Sequence, residues 1–364
     1  MADSAQQASP GVLSEGAGAR RIALDAMGGD FAPGEVVLGA VQAARELGAS
    51  VLLVGPHSTI QQELARHDTQ GLDLEIVQAD EVIGMDEHPV EAVRAKRRNS
   101  ITVAHELVRD GRAAGAVSAG NSGAVLAAAI FTLRRIHGVD RPAFGGVVPA
   151  AGGSRTLVLD MGANTDCKPP WLLQFAVMGA AYMQSVFAVP HPRVGLLSNG
   201  EEETKGDQLV QQAHQLIKAA APSLDLNFIG NVEGRDINAG TVDVVVCDGF
   251  VGNVVLKLSE GIVRMLLGTI REELMASTVS KVGGLLARPA FDRVRTRLDY
   301  EEYGGVPVLG VNGVSIISHG RSRAKAIKSA IRVAMQAAEA RLPATIAEGM
   351  HVLDAHAGVT SAGE

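Results

Sequence analysis

Aromatic residues are scarce, at 3% of the chain, with a single tryptophan. The core must therefore be filled mainly by Ala, Val, Leu and Gly. Such side chains suit closely packed helix and sheet layers better than an aromatic-rich sandwich. Cysteine is scarcer still: only Cys167 and Cys247 are present in 364 residues. Two thiols do not make a disulfide framework in a chain of this length, and they read as reduced intracellular cysteines. No CxxC and no Cys/His cluster suggests zinc. Positive charge is not in excess either, since the net charge is −7 and the pI about 5.8. A broad basic face for nucleic acid is thereby excluded as the main feature. No apolar run reaches the about 18 residues that would read as a membrane span. Residues 1–20 lack both a basic start and an apolar stretch, so they read as a disordered leader rather than a secretory signal. Together these absences predict a cytoplasmic protein.

What the sequence does have is a short apolar run, a Gly-rich turn and a helical stretch, repeated many times. That alternation predicts an α/β fold: a mostly parallel sheet with helices on both faces. Strands are expected at 21–25, 50–54, 74–78, 115–118, 145–149, 156–160, 193–198, 226–229, 242–247 and 314–318. Helices are expected at 32–47, 89–109, 122–136, 171–186, 207–220, 253–275 and 321–340. The Ala- and Gly-rich stretch 343–364 reads as a tail that is partly disordered.

In open α/β sheets, ligands bind outside the carboxyl ends of the strands. The loops there are unusual in this chain: 25–30 (DAMGGD), 118–124 (SAGNSGA), 160–168 (DMGANTDCK), 199–206 (NGEEETKG), 230–236 (GNVEGRD) and 248–257 (DGFVGNVVLK). Gly28, Gly29, Gly120 and Gly123 would let backbone approach a ligand closely. The N–H groups opening a helix at Ser122 attract phosphate oxygens. Asn can donate and accept without adding charge, which suits a thioester or an amide-rich arm. Each loop alone reads more readily as a plain turn or a helix cap. Six of them, expected at one sheet edge, point to a site. None is a Rossmann or Walker glycine motif, which weakens nicotinamide and nucleotide readings.

These loops, together with YGGVPVLGVNG at Tyr303–Gly313 and ISHGRS at Ile317–Ser322, resemble those of the acyl carrier protein-dependent phosphate acyltransferases. The motifs occur in order from Arg21 to Ala340 with little insertion, although Ser122 stands where Thr is common. The resemblance implies a three-layer α/β/α sandwich over 21–342, similar to phosphotransacetylase and to the isocitrate and isopropylmalate dehydrogenases. It implies a homodimer and no metal or organic cofactor. It also implies transfer of a long fatty acyl group from acyl carrier protein to inorganic phosphate. The acyl phosphate would pass to a membrane glycerol-3-phosphate acyltransferase for phosphatidic acid and phospholipid synthesis.

That chemistry must hold a phosphate dianion, stabilise an oxyanion and release a thiol. The Asn121–Gly123 turn would form part of the cradle. Lys168, Lys205 and Lys257 are candidate phosphate partners, and Asp25, Asp160 and Asp248 would orient them or accept a proton. Asn164, Asn199, Asn231 and Asn253 would bind pantetheine or the oxyanion. His319, just after a strand, would move a proton to the leaving thiolate, or would be a capping or buried structural histidine. Cys167 and Cys247 read as packing thiols, with acyl-accepting nucleophiles as the alternative.

One further stretch stands out. Residues 277–298 read as a basic amphipathic helical hairpin, with Pro289 breaking or starting a helix. Lys281, Arg288, Arg293 and Arg297 lie beside the apolar Val282, Leu285 and Leu286. The hairpin would either pack its apolar face in a dimer, or receive the acidic carrier protein on its basic residues and touch a membrane surface with its tip. Competing readings are a coenzyme A-dependent phosphotransacetylase, a nicotinamide dehydrogenase and a non-catalytic scaffold.

Overall fold

A computed structural model describes residues 21–298 and 304–361, with side chains described except at 295–298 and 356–361. The expected leader and the Arg297 side chain lie outside the described residues.

The first half runs β1 (Arg21–Asp25), α1 (Gly34–Leu47), β2 (Ser50–Gly55), α2 (His57–Leu64), β3 (Leu74–Gln78), α3 (Pro89–Ala95), α4 (Ser100–Arg109), β4 (Gly115–Ser118) and α5 (Ser122–Thr132). Next come β5 (Ala143–Pro149), β6 (Arg155–Leu159), α6 (Pro169–Phe187), β7 (Val194–Leu197), α7 (Gln208–Ala220), β8 (Phe228–Val232) and β9 (Val244–Val246). Two long helices, α8 (Gly249–Met275) and α9 (Thr278–Leu298), form a hairpin. The chain then returns through β10 (Val306–Leu309), β11 (Val314–Ile317), α10 (Ala324–Glu339) and α11 (Leu342–Ser361).

One sheet of eleven strands has the order β3-β2-β1-β4-β11-β10-β5-β6-β9-β7-β8. Side-chain alternation divides its two faces, as the strand pleat requires. Ile22, Leu24, Val51, Leu53, Leu157, Leu159, Val244 and Val246 face a core covered by α1, α6, α10 and α11. Ala23, Leu52, Val158, Val245 and Ile317 face the other side, under α3, α4 and α5. The mostly parallel α/β layering expected from sequence is the observed one. The α1–α10 crossing is close enough that a Cβ on Gly39 would come within 2.6 Å of Ile327 Cβ.

The sheet corrects one expectation that matters for the site. β10 pairs antiparallel with both β11 and β5, and β5 pairs antiparallel with β6. Three reversals make the block β3-β2-β1-β4-β11 run opposite to the block β6-β9-β7-β8. Their carboxyl ends therefore point to opposite ends of the sheet, and the six loops do not share one edge.

Smaller corrections have local causes. The helix expected at 89–109 is two helices, because Asn99 caps a new start by accepting from Thr102 N–H at 2.8 Å. Pro289 lies inside α9 rather than at an end, since an interior proline forfeits one ladder bond without always breaking the helix. The stretch after Pro343 is helix α11, with Leu342, Ile346 and Met350 buried in the core beside α6.

Candidate active site

At the carboxyl end of the first block, three turns converge. Ser118 Oγ donates to Asp25 Oδ2 at 2.6 Å and accepts from Gly120 N–H at 3.0 Å. A Cβ on Gly28 would meet Asp25 Oδ2 at 2.5 Å and Gly120 N at 2.6 Å, so only glycine lets these two turns nest. Asp30 N–H donates to Gly320 O at 2.7 Å, and Ser318 N–H to Ser118 O at 2.8 Å, which brings in the His319 turn. Asp25 is fully buried, and that burial pushes its carboxyl above the usual carboxylate range against the hydrogen bonds from Ser100 and Ser118. Asn121 Oδ1 accepts from Ala124 N–H at 3.1 Å, and its Nδ2 donates to Met85 O and Glu87 O. The Asp25 and Asn121 side chains thus build the turns, and the surfaces they leave are backbone and Ser122.

At the carboxyl end of the second block, Asp160 plays the corresponding part. Its Oδ1 accepts from Phe144, Gly162 and Ala163 N–H, and its Oδ2 from the Asn164 N–H and Nδ2. Burial still holds its pKa above the ordinary value. Asn164 Nδ2 also donates to Pro142 O at 2.8 Å. Asp248 caps α8, its Oδ1 accepting from Phe250 and Val251 N–H at 2.8 and 2.9 Å. That helix seats on the Asp160 turn so closely that a Cβ on Gly252 would overlap Asp160 O.

Between the two ends, over the antiparallel strands β10 and β5, lies a cavity of 270 Å³. Phe144, Val148, Met161, Leu256, Val306 and Ile317 give it an apolar wall. Ser122, Gly162, Asn253, Lys257, Ser318, His319 and Ser322 give it a polar border. Lys257 is paired with Glu260 at 3.4 Å, and the Glu260 side chain is largely covered. His319 Nδ1 accepts from Arg321 N–H at 3.1 Å, which leaves the proton of a neutral ring on Nε2. A Cβ on Gly162 would come 3.0 Å from Asn253 Nδ2.

Of the residues singled out from sequence, Ser122, Asn253, Lys257 and His319 meet at this cavity. The others are elsewhere. Asn231 is buried with its Oδ1 on His214 Nδ1 at 2.9 Å and its Nδ2 on Glu202 O, while Asn199 accepts from Gly206 N–H. Those two and Lys205 belong to the β7–β8 edge. Lys168 sits at the start of α6, with Nζ 5.8 Å from the Trp171 ring centroid. Sequence reasoning missed Met161, Glu260 and Ser318. The Lys257-to-Glu260 spacing was a readable sign of an i,i+3 pair. The apolar wall was not readable, because it is assembled from five separate elements.

The fold is shared with enzymes of known structure. The phosphotransacetylase from Streptococcus pyogenes superposes with a TM-score of 0.59 at 18% identity, over 88% of this chain and 94% of that one. The 4-hydroxythreonine-4-phosphate dehydrogenase from Klebsiella pneumoniae gives 0.52 at 15% identity, over 88% and 99%. At such identities the likeness is one of fold. The sequence comparisons are sharper. Residues 20–345 match the family model described as "Fatty acid synthesis protein". A protein named phosphate acyltransferase from Pelotomaculum thermopropionicum is 54% identical over 88% of this chain and 92% of its own length. One of the same name from Trichlorobacter lovleyi is 51% identical over 90% and 94%. The chain belongs to the phosphate acyltransferase family and is an acyltransferase.

Proposed function

We propose that the protein transfers a long-chain fatty acyl group from acyl carrier protein to inorganic phosphate, releasing acyl phosphate for phosphatidic acid and phospholipid synthesis. The observation that carries this reading is the cavity, where one apolar wall faces a border of Ser122, Asn253, Lys257 and His319. An acyl chain needs the first, and a phosphate attacking a thioester needs the second.

In the reaction, a phosphate oxygen attacks the thioester carbonyl carbon and the carbonyl oxygen becomes an oxyanion. Collapse breaks the C–S bond, and the departing pantetheine sulfur takes up the proton that the attacking hydrogen phosphate gives up. Lys257 would balance phosphate charge. Asn253 Nδ2 and the N–H groups opening α5 at Ser122 would donate to the oxyanion. His319, through Nε2–H, would hydrogen-bond the sulfur as it leaves. The buried Asp25 and Asp160 would act on turn geometry rather than on substrate.

The α8–α9 hairpin supports two partner surfaces. Val254, Leu258, Met265 and Leu266 on α8 are exposed and would be covered in a homodimer. Near the turn, Val279, Val282, Leu285 and Leu286 are exposed beside Lys281, Arg288 and Arg293, which fits an anionic membrane surface or the acidic carrier protein. Among the described residues no helix is long and apolar enough to cross a membrane. The protein would work in the cytoplasm at the inner face of the membrane, handing acyl phosphate to a membrane glycerol-3-phosphate acyltransferase.

The test is phosphate-dependent loss of the acyl group from palmitoyl-carrier protein, with acyl phosphate trapped by hydroxylamine. Hydroxamate formed only when phosphate is present supports the reaction. If a folded protein forms none, but acts on acetyl-coenzyme A, the donor assignment is wrong.

A further inference from the structure

Outside the cavity, a second concave site lies where the start of α6 meets the residues leading into β5. It is lined by Arg135, Asp140, Arg141, Pro142, Lys168 and Trp171. Arg141 stacks on the Trp171 ring with its guanidinium carbon 5.1 Å from the centroid, and Lys168 Nζ sits 5.8 Å from the same centroid. Among the described residues no carboxylate lies within ion-pair distance of Arg135, Arg141 or Lys168, whereas Arg21, Arg98, Arg193 and Arg235 each have one. Arg135 donates to the backbone oxygen of Asp140. Asp140, the one acid in the lining, has its Oδ2 on Gln174 Nε2 at 3.1 Å. Three cations against one carboxylate, held in one cleft by a tryptophan face and a backbone carbonyl with none of them in an ion pair, form a recess of net positive charge suited to an oxyanion.

This recess is coupled to the cavity by covalent geometry. Arg141 and Pro142 line the recess and Phe144 lines the cavity, about 7 Å along the strand direction. On the other side, Gly162 lines the cavity and Lys168 the recess. Asp160 and Asn164 tie both segments together, through Phe144 N–H, Gly162 N–H and Pro142 O. The two sites are therefore built on the same two chain segments.

We propose that the Arg135–Arg141–Lys168 recess is an anion subsite for the acyl donor, holding an oxyanion of the carrier while its thioester reaches into the cavity. The inference rests on the carrier-protein reading of the function. The oxyanion could be the phosphodiester that joins the pantetheine arm to the carrier, or a carboxylate on the carrier's surface. Both present the same chemistry to the recess.

Trp171 is the only tryptophan in the chain, so intrinsic fluorescence reports on this recess directly. The experiment titrates the full-length protein with pantetheine 4′-phosphate, with pantetheine, and with carrier protein lacking or bearing its arm. A saturable change with pantetheine 4′-phosphate but not with pantetheine, and with armed but not armless carrier, supports the arm phosphodiester. An equal change with both carriers and none with pantetheine 4′-phosphate supports a carrier carboxylate. In either case Arg141→Gln, an exposed position with no hydrogen bond to lose, should raise KM for acyl carrier protein about tenfold, the loss of one charge-assisted contact. KM for phosphate should be unchanged. No fluorescence change with any ligand, while the wild type turns over acyl carrier protein, overturns the subsite and leaves the reaction standing. A rise in KM for phosphate instead would make the recess an acceptor site and also overturn the proposal. Should the turnover assay itself fail, the titration with pantetheine 4′-phosphate still decides whether the recess binds that anion.

Discussion

Ser118 Oγ donates to Asp25 Oδ2 at 2.6 Å, joining the carboxyl ends of two neighbouring parallel strands, β4 and β1. That bond lowers the Asp25 pKa, yet burial outweighs it and the folded value stays above 3.8. A raised carboxyl pKa means the folded protein holds the proton more tightly than the unfolded chain. Its contribution to stability is complete below 3.8 and is lost as pH rises through the folded value. Asp25→Asn removes this dependence. Urea unfolding from acid to neutral pH should show the variant gaining on the wild type as pH rises. A difference that stays level with pH would contradict the buried-charge account.

His105 should give the opposite slope. Its Nδ1–H donates to Ile101 O at 2.8 Å and its Nε2 accepts from Ser315 Oγ at 2.9 Å, all within the core. Burial pushes its pKa down from 6.5 to about 4. The neutral ring is the folded form, so its stabilisation is complete above 6.5 and is lost as pH falls through about 4. The loss amounts to about 3 kcal/mol. His105→Gln should unfold at lower urea at neutral pH and show a flatter acid limb. The Asp25 variant serves as a control, because the two groups tilt the profile in opposite directions.

Gly162 has φ +129° and lies against Asn253 at the cavity border. Gly162→Ala would strain the backbone and push Asn253 aside. Asn253→Ala would remove the same donor without strain. Both should lower kcat/KM by about ten- to a hundredfold. Only Gly162→Ala should also lower Tm. Full activity in Asn253→Ala would remove that residue from the oxyanion role.

The two cysteines should be dispensable for chemistry. Burial pushes the Cys167 thiol up to about 12 and the Cys247 thiol well above its ordinary value. Neither is a thiolate near neutral pH, so neither is a ready acyl acceptor. Cys167→Ser and Cys247→Ala should keep most turnover, and a mass-spectrometric search during turnover should find no acyl-enzyme. An acylated cysteine would replace direct attack by phosphate.

The hairpin tip makes a separate prediction. Leu285 and Leu286 are 69% and 80% exposed. Leu285→Glu with Leu286→Glu should abolish flotation with anionic vesicles while leaving turnover of soluble acyl carrier protein intact. Unchanged flotation would mean that the tip is not the membrane contact.

Local sequence determined the elements whose environment is uniform. Strands β1, β3 and β4 occupy the residues expected of them, and β2 runs one residue further, because a strand inside a parallel block is an apolar run ended by a turn residue. The glycines of the loops were equally legible, but the stretch 277–298, read as a hairpin in itself, is the single helix α9, and the hairpin it belongs to is made with α8. Strand β10 was not legible. It lies in a Gly- and Pro-rich segment whose neighbours, β11 and β5, come from distant parts of the chain. Strand β8 was displaced from its expected place by Gly230 at φ +93° and an irregular register beside Gly195.

Only the tertiary structure decided which loops meet. An apolar run shows that a strand is buried, but its direction depends on pairing with distant strands. Three antiparallel pairings in the middle of the sheet turned one expected site edge into two. They set the cavity over the junction, left Asn199, Lys205 and Asn231 at a far edge, and moved Lys168 into its own basic recess. The composition and order of the motifs carried the family. The division of labour among their residues came from strand direction, which no local window of sequence contains.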